Sequence, residues 1–139
     1  MLNEVGGSLD LNRVHFLGKV PYPNFVKIVQ ISRVHVYLTY PFVLSWSMLE
    51  AMSAGCLVVA SKTAPVEEVI RDGENGFFVD IFSPSEIAER VITTLEAGNG
   101  GFAEIRQNAR QTIVEKYDLK SICLPAQLAL LEKAISLRV

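Results

Sequence analysis

The sequence predicts an α/β fold, a parallel sheet with helices on both faces. Two observations predict it: short β-branched runs alternate with helix-length amphipathic stretches, and the strand runs are apolar at successive positions. A strand that is apolar on both sides must be buried on both sides, and parallel sheets satisfy this because their crossover helices cover both faces. The 139 residues show no internal repeat or low-complexity segment, so we expect one domain with a Rossmann-like layer.

Four segments have the composition of strands. The first ends at a glycine and the last follows an Asn-Gly turn signal. The four predicted strands are Val14–Leu17, Val34–Leu38, Leu57–Ala60 and Phe77–Val79.

The first three predicted helices lie between these strands. Asn24 is the expected N-cap of a helix that reaches about Ser32, because polar caps favour helix starts. A second helix covers residues 48–54 and is closed by Gly55. A third opens at Pro65 and ends at an Asp-Gly pair at 72–73.

The C-terminal part is predicted to be helical. Ser83 and the proline after it start a helix that reaches about Glu96, and the glycine-rich stretch 98–101 then breaks the chain. Two further helices are expected, from about Phe102 to Lys116 and from about Leu119 to Leu137.

Composition excludes several classes of protein. Half of the residues are hydrophobic and the net charge is −2, which argues against disorder and against a field that attracts nucleic acid or an anionic membrane. Cys56 and Cys123 form no CxxC pair, so we predict neither a disulfide framework nor a zinc site. A cytoplasmic location is expected, because residues 1–4 carry no signal-peptide pattern.

The loops after the predicted strands are the candidate ligand sites, because such sheets bind ligands outside the carboxyl ends of their strands. The most informative loop, residues 39–47, leads into a helix whose first turns hold Ser45, Ser47 and Glu50. A helix N-terminus suits a phosphate, and a carboxylate such as Glu50 can accept both hydroxyls of a ribose. The Ser47-x-x-Glu50 spacing also fits a capping box, in which Glu50 only returns to the backbone of Ser47.

Four sequence blocks then carry a resemblance to a known family. In order they read VHFLGKVPY at 14–22, LEAMSAGCLVVAS at 49–61, EVI at 68–70 and DGENGFFVD at 72–80. In this order and spacing they resemble the nucleotide-sugar domain of retaining GT-B glycosyltransferases of the family-4 type (group 1), over about residues 12–97.

The resemblance implies a site for a nucleoside-diphosphate sugar. Glu50 matches the family's ribose-binding glutamate, and the segment at Val20 and Pro21 matches one that lies against the nucleobase. The loop residues whose backbone N–H groups would face the diphosphate and sugar are Phe42, Val43, Leu44, Ser45 and Trp46. The donor would be a UDP-, GDP- or ADP-sugar, with no separate cofactor and no metal. Positions Glu68, Asp72, Gly73, Asn75 and Gly76 match motif positions too, with structural roles in caps and turns.

The sequence departs from the family pattern in the sugar pocket. Phe42 stands where the family has the first glutamate of its pair, and Ser45 replaces a loop glycine. The paired glycines of the next loop fall on Ala64 and Pro65. A pocket rebuilt around Tyr40, Phe42 and Trp46 would still suit a sugar ring, although these aromatic residues also fit a loop packed on the core.

The catalytic Arg and Lys of the family match no position of this chain, and the acceptor domain would also lie upstream. We therefore expect the chain to be the C-terminal part of a GT-B nucleotide-sugar domain, inactive alone. Lys19 and Lys62 are candidate cations but are better read as solvated lysines. His15 and His35 are better read as packed strand residues, and Ser47 and Cys56 lack a partner base.

Further expectations concern partners. Two strands of the family's sheet would lie between Val14–Leu17 and Val34–Leu38, so the second of these would have an open edge. That edge is expected to pair with Val14–Leu17 or with another copy of the chain, as a homo-oligomer.

The acceptor would be a glycan or glycolipid in polysaccharide synthesis, with the full-length enzyme at the inner membrane. The rivals are a non-catalytic nucleotide-binding or scaffold module and a sugar-nucleotide epimerase.

Overall fold

The computed structural model describes residues 10–40, 43–98 and 100–137. These residues contain a three-stranded parallel sheet in the order β1-β2-β3. Strand β1 is Val34–Tyr37, β2 is Leu57–Ser61 and β3 is Phe77–Val79. Val59 at the centre of β2 lies opposite Val36 on one side and Phe77 on the other. The predicted α/β class with a parallel sheet is therefore confirmed.

Six α-helices accompany the sheet in the described residues. A 3₁₀ turn at Leu11–Arg13 precedes the first of them, and a π-helical turn at Leu119–Cys123 precedes the last. In chain order the helices are α1 Tyr22–Ile31, α2 Trp46–Ser53, α3 Ala64–Glu67, α4 Pro84–Glu96, α5 Ala103–Tyr117 and α6 Leu124–Ser136.

Strand β2 lies at the centre of the hydrophobic core. All five of its residues are buried, and successive side chains enter opposite faces of the sheet, as the period of a strand requires. Val58 and Ala60 pack with side chains of α1, α2 and α5, including Val29, Met52 and Ala109. Leu57 and Val59 pack on the other face, where α4 and the start of α5 contribute. The fold is thus a sheet with helices on both faces.

Two predicted helix ends are confirmed by their capping geometry. The Ser83 hydroxyl accepts a hydrogen bond from the Glu86 backbone N–H at 3.3 Å and starts α4 with Pro84 as its first residue. Gly55 follows α2 with φ +77°, a conformation that favours glycine because it has no Cβ. The capping serine and the glycine each act within a few residues of the helix end, so the sequence alone reveals these two ends.

Two other helix boundaries differ from the prediction. Helix α1 starts at Tyr22 rather than at Asn24, because Pro21 takes the N-cap position and Pro23 the first turn, where a missing N–H costs nothing. Helix α3 ends at Glu67, well before the Asp-Gly pair at 72–73. Residues 68–69 form a turn, and residues 70–71 have no regular secondary structure.

The Asp-Gly-x-Asn-Gly turn before β3 has the structural role expected of it. Asn75 is buried; its Oδ1 accepts from the Arg71 N–H at 2.7 Å and its Nδ2 donates to the Val69 carbonyl at 3.0 Å. Asp72 accepts from the Phe78 N–H at 2.8 Å. These bonds connect the chain that follows α3 to β3.

The prediction of a strand at Val14–Leu17 is wrong. Residues 14–17 have no strand hydrogen bonding, and Phe16 is 75% exposed. A strand needs a second backbone as partner, and no other segment of the described chain pairs with this one. Strand β1 consequently pairs with β2 on one edge, and no described strand lies on the other. Pairing of that edge with another copy stays a prediction.

Helix α6 carries a stripe of exposed apolar side chains. Leu124, Leu128, Leu131 and Ile135 recur at helical spacing, and each is at least 45% exposed. The helix packs mainly on the π-helical turn before it. None of the helices in the described ranges has the length and apolarity that crossing a membrane requires.

His35 should make stability depend on pH. Its ring stacks on Tyr37, with ring centroids 6.4 Å apart, and burial lowers the pKa of His35 below its ordinary value of about 6.5. The unfolded chain therefore binds this proton more readily than the folded chain, so the free energy of unfolding falls as pH falls through about 6.5. When the pH is lowered from about 7.5 to 5.5, the free energy of unfolding should fall less in His35→Phe than in wild type. Urea unfolding at the two pH values measures this difference.

The matched control is His15→Phe, because His15 is exposed. Equal losses in wild type and His35→Phe would contradict the prediction.

Candidate functional site

The carboxyl ends of β1 and β2 are held together by one buried hydroxyl. Ser61, 1% exposed, accepts a hydrogen bond from the Thr39 N–H at 2.9 Å and donates one to the Thr39 carbonyl at 2.8 Å. The chain has left β1 by Thr39, so the ladder of the sheet no longer holds it. Ser61 therefore fixes the start of the loop that leads to α2.

A second hydroxyl fixes the end of this loop. The buried Tyr37 side chain accepts a hydrogen bond from the Ser45 N–H at 2.9 Å. Ser45 in turn is the N-cap of α2, and its hydroxyl accepts from the Ser47 N–H at 3.3 Å. The N-terminus of α2 is thereby positioned at the carboxyl edge of the sheet.

The capping-box interpretation of Glu50 is wrong. The N-cap is Ser45 rather than Ser47, so Glu50 lies two positions beyond the residue that could return to the cap. The interaction of the Glu50 carboxylate with the hydroxyl of Tyr22, the first residue of α1, raises the pKa of Tyr22 above its ordinary value, because ionisation would place two negative charges together.

Glu50 and Tyr22 line a pocket between α1 and α2. Its volume is about 190 Å³, and Phe25, Val29 and Arg110 are among the other residues that line it. The Arg110 guanidinium donates to the Ser53 carbonyl at the end of α2. The pocket thus combines an accessible carboxylate, an aromatic hydroxyl and a guanidinium above an apolar floor.

The loop residues predicted to face a diphosphate differ in their environment. Val43 and Trp46 are exposed, whereas Leu44 packs against the core. The Ser45 N–H donates to the Tyr37 hydroxyl at 2.9 Å, and its availability for a ligand stays a prediction. Within the described residues the N–H groups of Leu44 and Trp46 have no hydrogen-bond partner. Phe42 lies outside the described residues.

The aromatic side chains near this edge are not packed on the core. Trp46 is 79% exposed and Tyr40 is 66% exposed. Tyr40 meets Phe82, which follows β3, edge to face with ring centroids 6.0 Å apart. The edge of the sheet therefore carries an exposed aromatic surface.

Val20 and Pro21 lie next to the pocket along the chain. Pro21 immediately precedes Tyr22, and its carbonyl accepts the first hydrogen bonds of α1, from Asn24 at 2.9 Å and from Phe25 at 3.1 Å. The segment predicted to face a nucleobase thus leads into the same helix start as Tyr22, which lines one pocket with Glu50.

The remaining candidates are structural or solvated. Lys62 forms an ion pair with Glu67, Nζ to Oε1 3.6 Å, with both side chains about half exposed or more, and Lys19 is exposed. Burial raises the pKa of the Cys56 thiol to about 11, so it is no nucleophile at neutral pH. No cluster of metal-ligating side chains occurs within the described ranges.

Sequence reasoning missed four residues of this edge: Tyr22, Tyr37, Ser61 and Phe82. Ser61 had a signal, because it is a polar residue that directly follows four apolar ones in a strand. The other three act through partners distant in sequence, which no local pattern reveals.

The fold is that of a Rossmann-like α/β domain, and in such domains the carboxyl ends of the strands are the candidate ligand edge. Residues 7–113 match the model of the family described as glycosyl transferases group 1. The chain belongs to this family, as the sequence blocks predict.

Individual relatives agree with this assignment. An uncharacterized glycosyltransferase of Methanocaldococcus jannaschii is 33% identical over 121 residues, which are 86% of this chain and 30% of that protein. The structure of Anabaena HepE in complex with UDP is similar with a TM-score of 0.77 and 26% identity, over 94% of this chain and 35% of HepE.

A sucrose-phosphate synthase from Thermosynechococcus elongatus has the same fold, with a TM-score of 0.84 and 20% identity over 99% of this chain and 33% of that one. The fold is that of the Rossmann-like domains of GT-B glycosyltransferases. The chain spans about a third of the length of these relatives.

Removal of the Ser61 hydroxyl should loosen the site. Ser61→Ala leaves the N–H and carbonyl of Thr39 without their partner, so we expect a loss of about 1–3 kcal/mol in the free energy of unfolding. Hydrogen exchange should also quicken at Thr39, and both are measurable on the purified chain.

Ser136→Ala is the matched control, since this exposed hydroxyl bonds only the Lys133 carbonyl in its own helix. Unchanged stability and exchange in Ser61→Ala would show that the hydroxyl does not hold the loop.

Proposed function

We propose that this chain binds the donor, a nucleoside-diphosphate sugar, for a retaining glycosyltransferase that moves the sugar to an acceptor hydroxyl. The observation that carries the proposal is the placement of Glu50. Its carboxylate opens into the pocket between α1 and α2 and is not used to cap its own helix. A carboxylate in that position can accept both hydroxyls of a ribose.

The diphosphate would lie at the N-terminus of α2. The dipole of the helix and the N–H groups of Leu44 and Trp46 favour negative charge there. Ser45 fixes this terminus through its cap, and its own N–H donates to Tyr37. The structure of HepE in complex with UDP supports a nucleoside diphosphate as the ligand of this chain.

The sugar would meet the exposed aromatic surface. Tyr40, Phe82 and Trp46 present apolar faces near the carboxyl edge, and such faces pack well on sugar rings. Phe42, in place of the family's glutamate, fits a sugar pocket built on packing more than on hydrogen bonds.

The transfer itself would depend on groups that stabilise the leaving diphosphate by charge, without a covalent protein nucleophile. Lys62 follows β2 directly but is ion-paired with Glu67. We therefore propose that this chain alone binds donor without turnover, and that glycan or glycolipid acceptors are met by another part of the enzyme.

The second candidate, a non-catalytic nucleotide-binding or scaffold module, is favoured only by Phe42.

Calorimetric titration of the chain with UDP, GDP and ADP tests the donor site. We expect one of the three to bind, and Glu50→Gln to weaken it on the order of 10- to 100-fold, the scale of hydrogen bonds to a charged group.

Glu89→Gln, an exposed carboxylate on α4, is the matched control and should bind like wild type. If none of the three nucleotides binds, or if Glu50→Gln binds as tightly as wild type, the proposal is wrong and a scaffold role is favoured.

A further inference from the structure

We propose that Lys62 binds the diphosphate of the donor by exchanging its ion pair with Glu67 for contacts with the phosphate oxygens. The inference deepens the proposed function and rests on it. It adds the loop after β2 to a site that is otherwise built from the loop after β1 and from α1 and α2.

The first step is the position of Lys62. Strand β2 ends one residue before it, so Lys62 is the first residue beyond the carboxyl end of the central strand. Alternation along the strand places Lys62 on the same face as Ala60, the face that α2 covers. Ala60 lies opposite Tyr37, whose hydroxyl accepts from the N–H of Ser45, the N-cap of α2. Lys62 and the N-terminus of α2 therefore lie on one face of the sheet, at the same edge.

The second step is that the backbone of Lys62 is held while its side chain is exposed. The Lys62 N–H donates to the Val79 carbonyl at the end of β3, at 3.2 Å, and the residue before it, Ser61, is bonded to Thr39. The Lys62 side chain is 63% exposed. The ammonium group can therefore move from one anion to another without a change in the fold.

The third step is the weakness of the present ion pair. Nζ of Lys62 lies 3.6 Å from Oε1 of Glu67, and the Glu67 side chain is 46% exposed. An exposed ion pair of this kind changes an equilibrium constant by a factor of about five or less. A diphosphate carries more negative charge and more acceptor oxygens than one carboxylate, so it is the stronger partner for an ammonium group.

Glu67 therefore has two effects on the chain without ligand. It keeps the Lys62 ammonium group near the carboxyl edge, and it competes with the diphosphate for that group. A single exposed cation leaves the proposed lack of turnover unchanged, because acceptors are met by another part of the enzyme.

Opposite effects of two substitutions test the exchange. The probes are the nucleoside diphosphate among UDP, GDP and ADP that wild type binds best, by calorimetry, and its nucleoside, which has no phosphate, by NMR titration. We expect Lys62→Gln to weaken the diphosphate about five- to twentyfold and Glu67→Gln to strengthen it about two- to fivefold. Neither variant should change binding of the nucleoside. Both side chains are exposed, so both variants should fold, which thermal unfolding curves check.

The double variant Lys62→Gln/Glu67→Gln separates the exchange from simple repulsion between Glu67 and the ligand. It should bind the diphosphate like Lys62→Gln, because Glu67 acts through Lys62. Lys133→Gln, an exposed lysine on α6, is the matched control and should bind both probes like wild type.

Unchanged diphosphate binding in Lys62→Gln, or equal weakening of the nucleoside, would overturn the inference, while Glu50→Gln would still report on the donor site. The exchange is also wrong if Glu67→Gln fails to strengthen binding, or if it strengthens binding equally with and without Lys62. If wild type binds none of the three nucleoside diphosphates, both proposals fail together.

Discussion

Burial of β2 on both faces is the constraint on which the rest of the structure depends. Its side chains enter two separate hydrophobic clusters, so a slip of one residue in register would exchange the two faces. Strands β1 and β3 must align with it, and helices α2 and α4 must cover it from opposite sides. The carboxyl ends of the strands consequently fall at one edge.

The polar chemistry at that edge is organised by side-chain hydroxyls. Ser61 holds the start of the loop after β1, and Tyr37 holds its end. Each hydroxyl lies in a different part of the chain from the group that it bonds, so each bond connects two parts of the fold. The loop between β1 and α2 is therefore held at both of its ends.

Sequence patterns predict the parts of this molecule that are local. Three of the four predicted strands exist, and α4 begins at the predicted cap because a capping serine and its proline act on neighbouring residues. The strand at Val14–Leu17 failed because pairing requires a second backbone. Glu50 could be found from its place near a helix start, but the pocket that it lines between α1 and α2 could not. The spacing of Ser47 and Glu50 does not reveal that Ser45 is the cap, since that depends on where Tyr37 lies.

The burial of Cys56 has a practical consequence. Its thiol lies beside β2, 2% exposed and with a raised pKa, whereas Cys123 in the π-helical turn is partly accessible. A thiol reagent added to the native protein meets Cys123 first and reaches Cys56 only when the packing around β2 opens. The rate at which Cys56 is labelled therefore reports how often the core opens, and it can be measured without any ligand.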